Sequence, residues 1–244
     1  MMRRLSILTL TIVSTMFLVC QANPTEDMVK NSIEIPKESK QILKVTTPNW
    51  NSRVGVMQRY EREDKKWVAV GEPISIILGR NGLGWGVGLH IIPKEAKYIK
   101  REGDGRSPAG LFSLVNGFGY YPFKIEFPYR VYDRKYHCVD DSNSKWYNKI
   151  IDSTKVDKDY SSFEYMRLKN NLYKYGIVVN HNPNQIKDRG SCIFIHIWSG
   201  DKQGTAGCTA MSEENIIEVL KWLKKEKRPL LLQLPKDELK RIDL

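Results

Sequence analysis

The stretch Ser191–Met211, SCIFIHIWSGDKQGTAGCTAM, joins two patterns, an alternating strand and a glycine-spaced loop. From Cys192 to Trp198 the residue types alternate. Ile193, Ile195 and Ile197 fall on one face of a strand, and Cys192, Phe194, His196 and Trp198 fall on the other. The isoleucines mark the core side, so His196 stands on the opposite face between two aromatic residues. A loop spaced by Gly200, Gly204 and Gly207 follows and delivers Cys208 twelve residues after the histidine.

Two readings compete for this pair. A strand histidine is ordinarily satisfied by a backbone carbonyl, and a free cysteine ordinarily behaves as a small buried apolar residue. Against that, a helix start is predicted four residues beyond Cys208, where the dipole favours a thiolate and His196 can serve as its base. Gly207 leaves its amide accessible, and the Gly207 and Cys208 N–H groups could then form an oxyanion hole.

The helix itself is well marked. Ser212 is its cap, Glu213 and Glu214 fill its first turn, and Lys224, Lys225, Lys227 and Arg228 close it before Pro229. Ile216, Ile217, Leu220 and Leu223 recur at helical spacing and predict its buried face. PLLLQL after it reads as a final strand. Upstream, strand signals dominate: RVGVMQRYER and KWVAVG flank Glu63-Asp64-Lys65 as a hairpin. In NGLGWGVGLH the alternate glycines predict a tight turn and a strand with close backbone approach, since the context of a dinucleotide-binding turn is missing. REGDGRSPAGLFSL opens with turn residues, where Asp104 and Glu102 suit local side-chain bonding better than acid catalysis. Residues 120–165 read as long loops with short elements, SSFEYMRLKNNLYKYG as room for a short helix, and GIVVNHN as a strand. The fold class is therefore mainly β (α+β), one domain with one prominent helix near the C-terminus.

Composition sets the context. The chain has 244 residues, 41% hydrophobic and 27% charged, with a formal charge of +11. Arg3, Arg4 and the apolar run Leu5–Val19, ending at Cys20-Gln21-Ala22, have the anatomy of a secretory signal peptide over 1–22. The run is shorter than a bilayer span, so no stable membrane insertion is expected after cleavage. Lipidation of Cys20 is an alternative fate of the same segment. Residues 23–40 read as a polar linker or N-terminal arm, and 41–244 as the domain. Without 1–22 the charge falls to +9, which suits an anionic cell envelope; the scattered basic residues form no nucleic-acid module. Cys138, Cys192 and Cys208 would remain. A Cys138–Cys192 disulfide would leave Cys208 free, and two reduced, buried cysteines are the other possibility. No spacing suits a metal.

The segment His196 followed by Thr205-Ala206-Gly207-Cys208 resembles the catalytic motif of L,D-transpeptidases of the YkuD type, in a branch with TAGC in place of SHGC. Ser107-Pro108-Ala109-Gly110-Leu111-Phe112 is similar to a second motif of that family. The resemblance spans about residues 70–225 and implies a β-sandwich exported to the periplasm or cell envelope, acting on peptidoglycan stem peptides without a cofactor. It implies Cys208 as nucleophile, His196 as base and Gly207 as backbone oxyanion donor. Ser191, Thr205, Thr209 and His181 are the accompanying substrate-binding candidates. An amine acceptor would make the enzyme a transpeptidase, water would make it an L,D-carboxypeptidase, and a lapsed site would leave a wall-binding domain. Ala206 replaces the family's histidine before Gly-Cys, and Thr209-Ala210 replaces a hydrophobic residue and an arginine. Lys202 or Arg189 are candidates for the missing charge.

Overall fold

The computed structural model describes residues 33–242. The leader, Cys20 and the first part of the arm lie outside the described residues. The described part of the arm is packed: Ile33 is buried and bridges Ile242, and Lys40 donates to the Lys227 carbonyl.

Strand β1 (Gln41–Thr47) pairs antiparallel with β2 (Val54–Glu63), which turns through Asp64 and Lys65 into β3 (Lys66–Ile77). Both turn residues have positive φ, 43° and 73°, the mirror-image turn whose twist matches a two-residue hairpin. The expected hairpin is thus present. Next come β4 (Leu83–Trp85) and the long β5 (Ser107–Gly119). Gly88 shows why the glycine run is needed: a Cβ there would lie 2.4 Å from the Leu111 carbonyl oxygen on β5.

A short strand β6 (Tyr129–Val131) follows, and then β7 (Tyr136–Val139), β8 (Ile150–Asp152) and β9 (Phe163–Tyr165) form a separate three-stranded sheet in the order β8-β7-β9. The helix expected in 161–176 is absent. Asn170 instead accepts from the Leu172 amide and Lys174 donates to the Asn171 carbonyl, local bonds that compete with a helical ladder. The chain then re-enters the main sheet through β10 (Tyr175–Val179), β11 (Phe194–Ile197) and β12 (Thr209–Met211).

The helix α1 (Glu213–Trp222) has Ser212 as its cap, accepting from the Asn215 amide. Its buried face is Ile216, Val219 and Leu220, with Leu223 buried just past the end. Ile217 is only half-buried, so Val219 takes the place assigned to it. Gln41, fully buried, closes the far end: its Nε2 donates to the Trp222 carbonyl and its Oε1 accepts from the Lys224 amide. Finally β13 (Leu230–Pro235), buried throughout, runs parallel to β1 and antiparallel to β5.

The main sheet follows the order β10-β11-β12-β3-β2-β1-β13-β5-β4, and β5 also pairs with β10. That last pairing curls the sheet onto itself into a closed, mixed β-sandwich, and this mainly β fold, with one α-helix among the described residues, is the class the sequence predicts. Its interior holds Ile42, Leu43, Val45, Met57, Leu111, Phe112, Leu231 and Leu232, together with Ile193, Ile195 and Ile197 of the β11 segment. A second apolar cluster, on the other side of β11, gathers Phe118, Tyr173, Cys138, Cys192, Phe194 and Cys208. The isoleucine alternation therefore sorts the residues as expected: isoleucines to the main core, and the opposite face to the cluster that contains the thiol.

Candidate active site

Parallel pairing of β11 with β12 sets His196 beside Ala210, so Cys208 arrives at the head of β12, level with the first residues of β11. The Phe194 amide donates to Cys208 Sγ at 3.3 Å, and Sγ in turn donates to the Cys192 carbonyl at 3.5 Å. His196 is two residues beyond Phe194 on the same face, about 7 Å along the strand. Both side chains line one cavity of about 230 Å³, with Glu164, Tyr173, Trp198, Thr205 and Ala206 among its walls.

The protonation state of His196 follows from one bond. Its Nδ1 lies 2.7 Å from the Ile197 carbonyl, which can only accept, so Nδ1 carries the proton and Nε2 keeps its lone pair. The ring packs edge-on against Tyr173, centroids 5.2 Å apart. Burial pushes the imidazole down to about 4 against this bond, which keeps it neutral at pH 7. Burial, then the Glu164 charge, pushes the Cys208 thiol well above its usual range, only partly offset by the Phe194 amide and Lys100. The helix start does not assist. Strand β12 separates Cys208 from α1 by three extended residues, roughly 10 Å, which is beyond the first turn where a helix dipole is felt. The pair is a neutral thiol and a neutral base, so sulfur becomes nucleophilic only as its proton moves to His196.

The loop that presents Cys208 is held by hydroxyls. Thr205 Oγ1 donates to the Cys208 carbonyl at 2.6 Å and accepts from the Gly207 amide at 3.1 Å. Ser107, first residue of the SPAGLF motif, donates to the same Cys208 carbonyl at 3.0 Å and accepts from the Gly79 amide. Gly207 sits at φ 156°, where a side chain is rarely tolerated, and a Cβ would meet the Arg106 carbonyl oxygen at 3.1 Å. The Gly207 N–H expected to face an oxyanion is thus bonded to Thr205.

The remaining sequence-predicted residues divide. Thr205 lines the cavity. Thr209 does not: it is buried and donates to Gln233 Oε1 at 2.8 Å. Ser191 donates to Glu102 Oε2 at 2.8 Å, a carboxylate that also accepts from Tyr147 Oη, so its hydroxyl belongs to a structural network. His181 is buried away from the thiol, with Nε2 bonded to the Arg189 carbonyl and its ring edge-on to Phe112. Neither Lys202 nor Arg189 is among the residues lining the cavity. Sequence reasoning misses Glu164 and Tyr173: Glu164, on β9, ends the weakly periodic region, Tyr173 lies in a turn within the stretch read as room for a helix, and no motif marks either.

Cys138 and Cys192 form a disulfide across a sequence separation of 54, and Cys208 is the free, buried cysteine among the described residues. Cys192 has φ 54°, and its amide donates to Asn148 Oδ1 at 2.9 Å. The residue whose carbonyl holds the thiol is therefore pinned on both sides. Among the described residues, no group of three or more His, Cys, Asp or Glu side chains could hold a metal ion, and no helix is long and apolar enough to cross a membrane.

The L,D-transpeptidase catalytic domain (YkuD) family matches residues 32–231. The fold is similar to that of the helical cell shape determining protein Pgp2 from Campylobacter jejuni, at 15% identity and TM-score 0.43, covering 85% of this chain and 51% of that one. It is also similar to Bd1075 from Bdellovibrio bacteriovorus, at 11% identity and TM-score 0.41, covering 86% of this chain and 56% of that one. The chain thus spans about half the length of these two structures. No curated protein sequence matches it.

Proposed function

The chain belongs to the L,D-transpeptidase catalytic domain family, and from that premise we propose that it is an exported cysteine acyltransferase acting on peptidoglycan stem peptides. The domain would be residues 41–244, behind a cleaved leader at 1–22 and an arm at 23–40, working in the periplasm or cell envelope. The observation that supports this most is the shared cavity of Cys208 and His196, with the Ile197 carbonyl fixing the histidine tautomer that leaves Nε2 basic.

In this reading Cys208 Sγ attacks the carbonyl of the L-centre at the third stem residue while its proton passes to His196 Nε2. The tetrahedral intermediate collapses, the terminal D-alanine leaves with the proton from His196, and a thioester remains. An amine of a second stem then attacks the thioester, His196 takes a proton from it and returns it to the departing thiolate, and a cross-link results. The backbone around Cys208 would stabilise the oxyanion, and Gly207 could join it only by releasing Thr205. With water as acceptor the same steps make an L,D-carboxypeptidase.

The assignment is tested with a carbapenem-type acylating agent and intact-mass measurement. Wild type should gain one adduct and Cys208→Ala none; equal labelling of the two would overturn it. Muropeptide products then divide the readings: dimers indicate transfer, tripeptides hydrolysis, and binding without product a wall-binding domain.

A further inference from the structure

The acyl-transfer steps leave one group in the cavity without a task. Glu164, on β9, lines the same space as Cys208 and His196, and its Oε2 accepts from the buried Tyr173 hydroxyl at 2.5 Å. The ion pairs among the described residues all use other carboxylates. Asp140 and Glu102 add negative charge around it, while Lys100, the cation that reaches the thiol, is bound to Asp104 at 2.6 Å. A chain of +11 overall has thus built a locally acidic nucleophile cavity. Burial, with those two carboxylates, pushes Glu164 up to about 7 against the Tyr173 bond. An ionised Glu164 is costly to desolvate and opposes the Cys208 thiolate across the cavity. A cation placed beside it relieves both penalties at once.

We propose that Glu164 is an ammonium subsite of this cavity, selecting a substrate amine by pairing its charge beside Cys208 and His196. The proposal rests on the reading of Cys208 as the acyl-transfer nucleophile. Two amines of the proposed reaction share the required chemistry: the side-chain amine of the donor's third residue, and the acceptor amine. For the acceptor the protons balance. The ammonium gives one to the Glu164 carboxylate, and the free amine attacks the thioester carbonyl. The second proton passes through His196 to the departing Cys208 thiolate, leaving an amide and a restored thiol.

The test uses two thiol reagents of similar size, neutral methyl methanethiosulfonate and cationic 2-aminoethyl methanethiosulfonate, on the full chain. Rates of Cys208 labelling are read by intact mass and expressed as a cationic-to-neutral ratio, normalised to a small free thiol. Wild type at pH 8 should prefer the cationic reagent by about tenfold, the effect of one charge pair in a partly buried site. That preference should decline as pH falls through 7 and Glu164 takes up a proton. Thiol ionisation itself affects both reagents equally, and Tyr173 stays neutral over this range. His196 is neutral too. Glu164→Gln should bring the ratio to that of the free thiol.

A wild-type ratio equal to the free thiol's, or a ratio unchanged in Glu164→Gln, overturns the proposal. Should the variant not fold, the wild-type ratio and its pH dependence decide alone. Stem tetrapeptides with free or acetylated side-chain amines then assign the source. A KM for D-alanine release raised by acetylation in wild type alone marks the donor. Unchanged release, with Glu164→Gln shifting products from dimers to tripeptides, marks the acceptor. The absence of both effects overturns the subsite as one the substrate uses. Absence of D-alanine release from every peptide overturns the proposed acyl transfer, while the reagent ratio still judges Glu164.

Discussion

Thr205 touches no reacting atom, yet two of the bonds that shape the Cys208 loop pass through its hydroxyl. Thr205→Val keeps the volume and removes both. A buried carbonyl and amide that lose a partner cost on the order of 1–3 kcal/mol, although Ser107 still serves the carbonyl. The variant should remain folded and acylate about 10–100-fold more slowly, as followed by an intact-mass time course; an unchanged rate would remove Thr205 from the presentation of the nucleophile. At this scale the sequence was informative wherever a local rule applied. Alternation set His196 opposite Ile193, Ile195 and Ile197, and the glycine-spaced loop brought Cys208 back to it. Of the substrate-binding candidates, Thr209, Ser191 and His181 bond inward, to Gln233, Glu102 and the Arg189 carbonyl respectively, because side-chain direction is set by packing that the sequence does not display. Glu164 had no local sign because its position depends on where a separate sheet packs.

That separate sheet, β8-β7-β9, is tied to the main one through the Cys138–Cys192 bond, and Cys192 supplies the carbonyl that holds the thiol. Closing a loop of this length removes about 4 kcal/mol of unfolded-chain entropy in the loop-closure account. Reduction should therefore lower Tm by several degrees and also change the Cys208 alkylation rate, because it frees the neighbouring carbonyl. Loss of stability with no change in thiol reactivity would show that the bond serves the sheet and not the site. Elements were legible in proportion to their local punctuation. The β2–β3 turn and the Ser212 cap follow from short-range chemistry, and both are where expected. The stretch 161–176 has helical composition but folds as strand and turns, since Asn170 and Asn171 bond locally and Tyr173 is drawn into the aromatic cluster of Phe118, Phe194 and His196.

For the molecule as a whole, the histidines set a pH response. Burial pushes His90 and His196 down to about 4 and His181 to about 3. An unfolded histidine takes up its proton near 6.5, so between 6.5 and 4 the unfolded chain binds more protons than the folded one. Stability is then full above 6.5 and lost as pH falls toward 4, on the order of 3 kcal/mol for each of the buried rings His181 and His196 and less for the half-buried His90. Glu164 opposes this, because its raised value makes acidification from 7 toward 4.5 favourable, but it is one group against four histidines, since burial lowers His137 as well. Thermal melts at pH 6.5, 5.5 and 4.5 should show a falling Tm; a level or rising one would contradict the buried, neutral rings. The closures that define this molecule, β5 with β10 and β1 with β13, were the least legible feature, because no short-range pattern names a partner so far along the chain. The β1–β13 pairing also has a consequence in time. A ribosome adding 5–20 residues per second delivers Leu230 roughly ten to forty seconds after Gln41. Throughout that interval β1 lacks its parallel neighbour and β5 one of its antiparallel ones, so sheet closure must await the last strand. Long-range pairing of this kind predicts slow, late and cooperative folding. A chain cut short before β13 would expose two open, apolar strand edges and be prone to aggregate.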